Sequence, residues 1–171
     1  MVALETPEAN IGWQAPDFNL KGTDEESYNL EKAKGENGLV VMFICNHCPF
    51  VKAILEKIIR DANELKQHGI NCIAIMSNDT ENYPEDNFEN MKNLALEMNL
   101  PFPYVIDESQ EVAKAYGAVC TPDFFGFDKD LKLQYRGRLD DSGMTKKEDG
   151  ERDLFEAMIE VATSGKRSCQ T

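Results

Sequence analysis

Two nearly continuous apolar runs, Leu39 to Ile44 and Ile70 to Met76, lie on either side of one long amphipathic stripe. A strand with one wet face alternates polar and apolar residues, whereas an unbroken run bounded by turn residues has both faces covered. Between the runs Phe50, Val51, Ile54, Leu55, Ile58, Ile59, Ala62 and Leu65 recur at helical spacing, and Gly69 supplies a stop. Strand, helix, strand in that order, with both strands needing cover, confines the chain to an α/β sheet with helices on its faces.

The remaining segments fit that frame. Trp13 to Leu20 alternates enough to predict an edge strand or hairpin, closed by Gly22 and Thr23. Ser77 to Asp86 is a polar loop leaving the C-terminal end of the second run, where open α/β sheets place ligands. Phe88, Met91, Ala95 and Met98 predict a helix stopped by Pro101 and Pro103, and Tyr104 to Ile106 a short strand. A short helix then carries Val112, Ala113 and Tyr116 and ends at Gly117. Asp123 to Phe127 and Leu131 to Arg138 read as antiparallel strands joined at Asp128 to Asp130. A last helix turns Leu154, Phe155, Met158, Ile159 and Ala162 inward. Residues 1–171 thus form a single domain with its core in 11–164: a central mixed sheet, helices on both faces and an N-terminal strand or hairpin extension.

A net charge of −13 argues against nucleic acid and anionic membranes, since phosphate surfaces are bound largely by Lys and Arg. No stretch is long and apolar enough to cross a bilayer, and no leader pattern opens the chain, which points to a cytoplasmic protein. The five cysteines are an odd number without the spacing of a secreted disulfide framework, and only Cys45 and Cys48 are close together.

That pair is where the first apolar run hands over to the first long helix. Pro49 suits a first helical turn, and the unpaired amides and positive dipole end there favour an anion, so a thiol can ionise near neutral pH. The spacing brings both sulfurs within disulfide reach, with Cys45 expected outermost as attacking thiolate and Cys48 more shielded as resolving thiol. The bland reading of C-x-x-C is half of a zinc site, but Cys72 and Cys169 have no near partner to complete one. Cys72, inside the second run, reads as a small inert hydrophobe. No metal and no cofactor is assigned.

The pair after a strand, with Thr121 and Pro122 entering a later strand, resembles the thioredoxin fold, which implies that Pro122 faces the redox pair and, with Thr121, shapes the groove for a partner's backbone. More narrowly, A-P-D-F-N-L, M-F-I-C-N-H-C-P-F-V-K, S-N-D-T-E-N-Y-P-E-D, K-A-Y-G-A-V-C-T-P-D-F-F and Y-R-G-R-L-D-D-S resemble the peroxiredoxin-like group of the alkyl hydroperoxide reductase and thiol-specific antioxidant superfamily. Peroxiredoxins carry P-x-x-x-T-x-x-C and a distant Arg that polarise the peroxide. Counting back from Cys45, those slots hold Gly38 and Met42; counting back from Cys48, they hold Val41 and Cys45. The segment for the Arg reads C-T-P-D-F. The buried Asp that thioredoxin carries before its first cysteine is also missing, so assistance to Cys48 falls to His47 or to an Asp from another loop. His47 stands where the more oxidising relatives carry His, and either tunes the Cys45 thiolate or simply faces solvent. Cys120, beside Thr121, is a third redox sulfur, a metal ligand or a buried filler.

The expected function is a thiol–disulfide oxidoreductase working on a protein or small-molecule disulfide with a thiol electron donor. The alternatives are a weak thiol peroxidase, or a copper- or zinc-handling protein that uses Cys45, Cys48, His47 and Cys120 as soft ligands.

Overall fold

The computed structural model describes residues 11–46, 49–118, 122–137 and 153–164, the side chains of 49–53, 153 and 164 excepted. The two apolar runs form the centre of the molecule: β3 (Gly38–Phe43) and β4 (Ile70–Met76) run parallel, Gly38 beside Ile70 and Phe43 beside Ile75. Between them lies α2 (Pro49–Lys66), as the stripe requires, with Ile54, Leu55, Ile58, Ala62 and Leu65 buried. Gly69 follows at φ +77°, the left-handed conformation that ends a helix without steric cost to glycine.

The sheet has seven strands in the order β2-β1-β5-β4-β3-β6-β7. The hairpin β1 (Leu20–Gly22) and β2 (Ser27–Tyr28) extends one side through β5 (Tyr104–Ile106), which is parallel to β4. On the other side β6 (Asp123–Asp128) and β7 (Leu133–Gly137) run antiparallel, with β6 against β3. Residues of β3 alternate between two cores. Val40 and Met42 meet α2, Met91 of α3 (Phe88–Met98) and α5 (Asp153–Ser164). Leu39, Val41 and Phe43 meet the short α1 (Leu30–Ala33) and α4 (Glu111–Tyr116). Helices cover both faces, as the continuous runs predict. Among the described residues no helix is long and apolar enough to cross a membrane.

Three local expectations change. The predicted strand at Trp13 to Leu20 moves on to Leu20–Gly22, with only a lone bridge from Gln14 to Lys132 before it. Pro16 has no N–H for a ladder, and the Asp17 carboxylate accepts the amides of Phe18 (2.8 Å) and Leu30 (3.0 Å), which ties the segment to α1 instead. The helix α3 ends at Asn99 in the left-handed conformation (φ +49°), two positions before the first proline. On α5 the buried residues are Leu154, Ala157, Met158 and Val161, while Phe155, Ile159 and Ala162 are only partly covered. The cause is Gly126 on β6: a Cβ there would sit almost on Met158 Sδ, so the missing side chain makes the seat for Met158 and sets the rotation of the helix.

Because β3, β4 and β5 are parallel, their C-terminal ends share one edge of the sheet. Antiparallel β6 brings its N-terminal end there, Asp123 beside Phe43.

Candidate active site

Cys45 follows β3 at that shared edge, after Ile44, whose amide still donates to the Ile75 carbonyl at 3.0 Å. The thiol is buried, 1% exposed, among Ile44, Ile54 and other members of the α2-facing core. The expectation placed Cys45 outermost; the structure buries its thiol, and the comparison with Cys48 lies outside the described residues. The strand ladder continues to its doorstep and draws the side chain inward. Burial opposes a thiolate, whereas the N-terminus of the 18-residue α2 favours one. His47 and Cys48, the other two members of the motif examined by spacing, lie outside the described residues, as do Cys120 and Thr121.

Pro122 is described and half-buried, directly before β6. Continuing the β3–β6 register one step past Phe43 and Asp123 sets Pro122 level with Ile44, next to Cys45 in the chain. The register therefore brings Pro122 to the level of the residue before Cys45.

Asn46, the first residue between the cysteines, is held on three sides. Its amide N–H donates to Asp86 Oδ1 at 2.7 Å, and its Nδ2 donates to the Glu85 carbonyl at 3.0 Å. Its Oδ1 accepts from the Tyr104 hydroxyl at 2.8 Å. Asp86 ends the 3₁₀ turn Pro84–Asp86 and is fully buried, and its Oδ2 accepts from Asn78 Nδ2 at 2.9 Å. The loop from Ser77 to Asp86 thus reaches the turn that follows Cys45, at the edge where its place after β4 puts it. Its shape is self-made: Tyr83 N–H bonds the Asp79 carbonyl at 2.8 Å, and Asp86 N–H bonds the Tyr83 carbonyl at 2.9 Å. Sequence reasoning left room for an Asp from another loop but did not single out Asp86. The signal available was Pro84 followed by two acids, a helical-turn start beside the ligand edge.

A second buried charge pair was not foreseen. Arg136 on β7 donates through Nη2 to Asp123 Oδ2 and to the Gly117 carbonyl, each at 2.8 Å, with its guanidinium 4.5 Å over the Phe125 ring. It spans the two ends of the 118–122 connection. Burial pushes the Asp123 carboxyl up from the usual carboxylate range, and the Arg136 ion pair pulls it back down. A guanidinium thus does come to the segment that lacks the peroxiredoxin Arg, but it is committed to Asp123. Met42, in the Thr slot when the count starts from Cys45, is a buried thioether with no hydroxyl to offer.

Cys72 behaves as its strand predicts: it is buried, and burial, with the charge of Asp61, pushes its thiol up to about 12. Among the described residues no group of three or more His, Cys, Asp or Glu side chains could hold a metal ion.

Comparison with known proteins places this architecture. Residues 11–136 match the model of the AhpC/TSA family. The chain belongs to that family. Within reach of this AhpC/TSA member is the thiol-disulfide oxidoreductase ResA of Bacillus thuringiensis, 30% identical over 130 residues, which are 72% of this chain and 66% of that protein. The chain therefore matches slightly under two thirds of that relative's length. A solved structure of an uncharacterized conserved protein from Geobacillus kaustophilus is 45% identical, with a TM-score of 0.92, covering 100% of this chain and 91% of the other. The thioredoxin domain of a thiol-disulfide oxidoreductase from Bacteroides vulgatus superposes at a TM-score of 0.70 with 16% identity, covering 91% of this chain and 99% of that domain, which shows the thioredoxin-like fold.

Proposed function

We propose that this AhpC/TSA family member is a thiol–disulfide oxidoreductase whose redox pair is Cys45 and Cys48. The observation that carries the reading is the position of Cys45, just past the end of the central strand β3, four residues before α2 begins at Pro49 and one residue past the level of Pro122. The ResA relatives support it by name. In the forward direction the Cys45 thiolate attacks a disulfide R–S–S–R′, forming a Cys45–S–S–R bond and releasing R′S⁻, which takes up a proton. Cys48 then loses its proton and attacks the Cys45 sulfur. A Cys45–Cys48 disulfide forms, RS⁻ leaves, and two electrons have passed from the dithiol to the substrate. A thiol donor reverses the sequence to regenerate the pair. Thr121 and Pro122 are assigned the substrate backbone. His47 stabilises the Cys45 thiolate.

Trapping tests this assignment. A Cys48→Ser variant cannot resolve, so incubation with a protein or small-molecule disulfide should leave the substrate joined to Cys45. A covalent adduct absent from Cys45, or mapped to Cys120 or Cys169, counts against the assignment.

A further inference from the structure

The C-x-x-C turn is watched over by a buried negative charge that the apolar strand before it does not provide. Asp86 is fully buried and bonded to the amide that immediately follows Cys45, at 2.7 Å. Covalent geometry then keeps that carboxylate no farther than about 8 Å from Cys45 Sγ, in a region sealed by Ile44, Ile54 and Tyr104. Resting on the redox reading above, we propose that Asp86 is a positioning residue that restrains Cys45, fixing the Asn46 amide and disfavouring the thiolate so that the turn ionises less readily than its helix dipole alone would allow.

Two features give the restraint its sign. An amide at a strand-to-helix turn is one of the donors that would otherwise point at an anion there, and Asp86 occupies it. A carboxylate close to a forming thiolate is also a like charge in a water-poor site, which favours the protonated thiol. The Tyr104 hydroxyl senses both groups. It sits well above its ordinary range, first because it is buried and then because Cys45 and Asp86 add negative potential around it.

Among the described residues the titratable groups at this corner include Cys45 on the β3 exit, Glu85 and Asp86 on the turn, Tyr104 on β5 and Asp107 at the β5 exit. His47 and Cys48 adjoin it in sequence. Asn46 and Asn78 are neutral donors to Asp86, which offset a carboxylate's charge in part but do not cancel it as a cation would. Asp86→Asn is therefore an informative change: the amide oxygen can still accept from Asn46, while the charge is gone.

The test follows the pH dependence of Cys45 alkylation by iodoacetamide, read by peptide mass in a Cys48→Ser background. No turnover enters, so the result stands apart from the success or failure of the oxidoreductase assignment. Asp86→Asn should raise the thiolate-to-thiol ratio of Cys45 at a given pH about tenfold, equivalent to one pH unit in the midpoint. Asn78→Ala deletes a donor that offsets the Asp86 charge and should move the midpoint the other way. Far-UV circular dichroism and thermal midpoints identify variants that have kept the fold. Unchanged midpoints in the variants that remain folded would overturn the proposal, because a merely structural Asp86 moves neither. Repeating Asp86→Asn in a His47→Ala background separates a direct effect from one relayed by the imidazole. Persistence of the shift supports the proposal, and its disappearance overturns it.

Discussion

At Cys45 two demands meet: a nucleophile must ionise, yet the side chain is 1% exposed and the amide that follows it is held by a buried carboxylate. What separates it from Cys72, also buried, is position along a strand. Cys72 lies inside β4 with its thiol pushed up to about 12, whereas Cys45 has passed the end of β3 and lies four residues before α2 begins at Pro49. Native protein treated with iodoacetamide at pH 8 should therefore leave Cys72 unmodified while Cys45 reacts, as peptide mass spectrometry will show. Equal labelling of the two thiols would contradict this. The residue scale also decides peroxide chemistry. Losing one donor to a developing charge costs about 10² to 10³ in rate; the Thr slot holds Met42 or Cys45, depending on which cysteine the count starts from, and the segment for the Arg reads C-T-P-D-F. In stopped-flow experiments hydrogen peroxide should oxidise the reduced pair far more slowly than a peroxiredoxin allows. Rates near the diffusion-steered range would put the peroxidase reading first.

Among the elements, the connection 118–122 depends on a clamp from a neighbouring strand. Arg136 of β7 ties the Gly117 carbonyl to Asp123, so removing the guanidinium leaves a buried carboxylate unpaired. Arg136→Met should cost about 3 kcal/mol in chemical denaturation, the low end for breaking a buried ion pair from one side. A loss below about 1 kcal/mol would reduce the pair to a surface-like contact. Asp123 adds a pH signature. Its folded carboxyl lies above its unfolded value of about 3.9, so its contribution is fully present below that pH and is lost as pH rises through the folded value. The denaturation midpoint of Asp123→Asn, compared with the parent from pH 4 upward, should show that decline removed. An unchanged slope would contradict it. This clamp was not legible in the sequence, because Arg136 and Asp123 meet only through the register of two strands, which alternation does not fix when a bulge intervenes at Gly126 and Phe127. The two central strands, α2, β5 and α4 were legible, since their periodicity and stop signals agree with the packing that buries them. The shifted first strand was not, because Asp17 diverts its backbone through contacts 13 residues away. At the site the sequence disclosed Cys45 by motif and the 77–86 loop by topology. It missed the burial of Cys45, which depends on the neighbours that three elements bring to one corner.

For the whole molecule, the sheet order gathers the exits of β3, β4 and β5 and the entrance of β6 at one edge, and the chemistry assigned here needs all four. Opposing influences converge there: the α2 N-terminus favours the reduced, thiolate-bearing state, as the proposed role of His47 would, while Asp86 and burial resist it. Their balance sets the potential of the pair. His47→Ala should make the couple more reducing, and an unchanged thiolate titration in that variant would leave His47 without a tuning role. The most direct test of the central claim is an equilibrium redox titration in glutathione buffers, with the oxidised product mapped by mass spectrometry. The account predicts one two-electron couple, a Cys45–Cys48 disulfide, with a potential between about −270 mV for thioredoxin and about −120 mV for DsbA. A potential below thioredoxin's, or an oxidised product that lacks the Cys45–Cys48 bond, would contradict it.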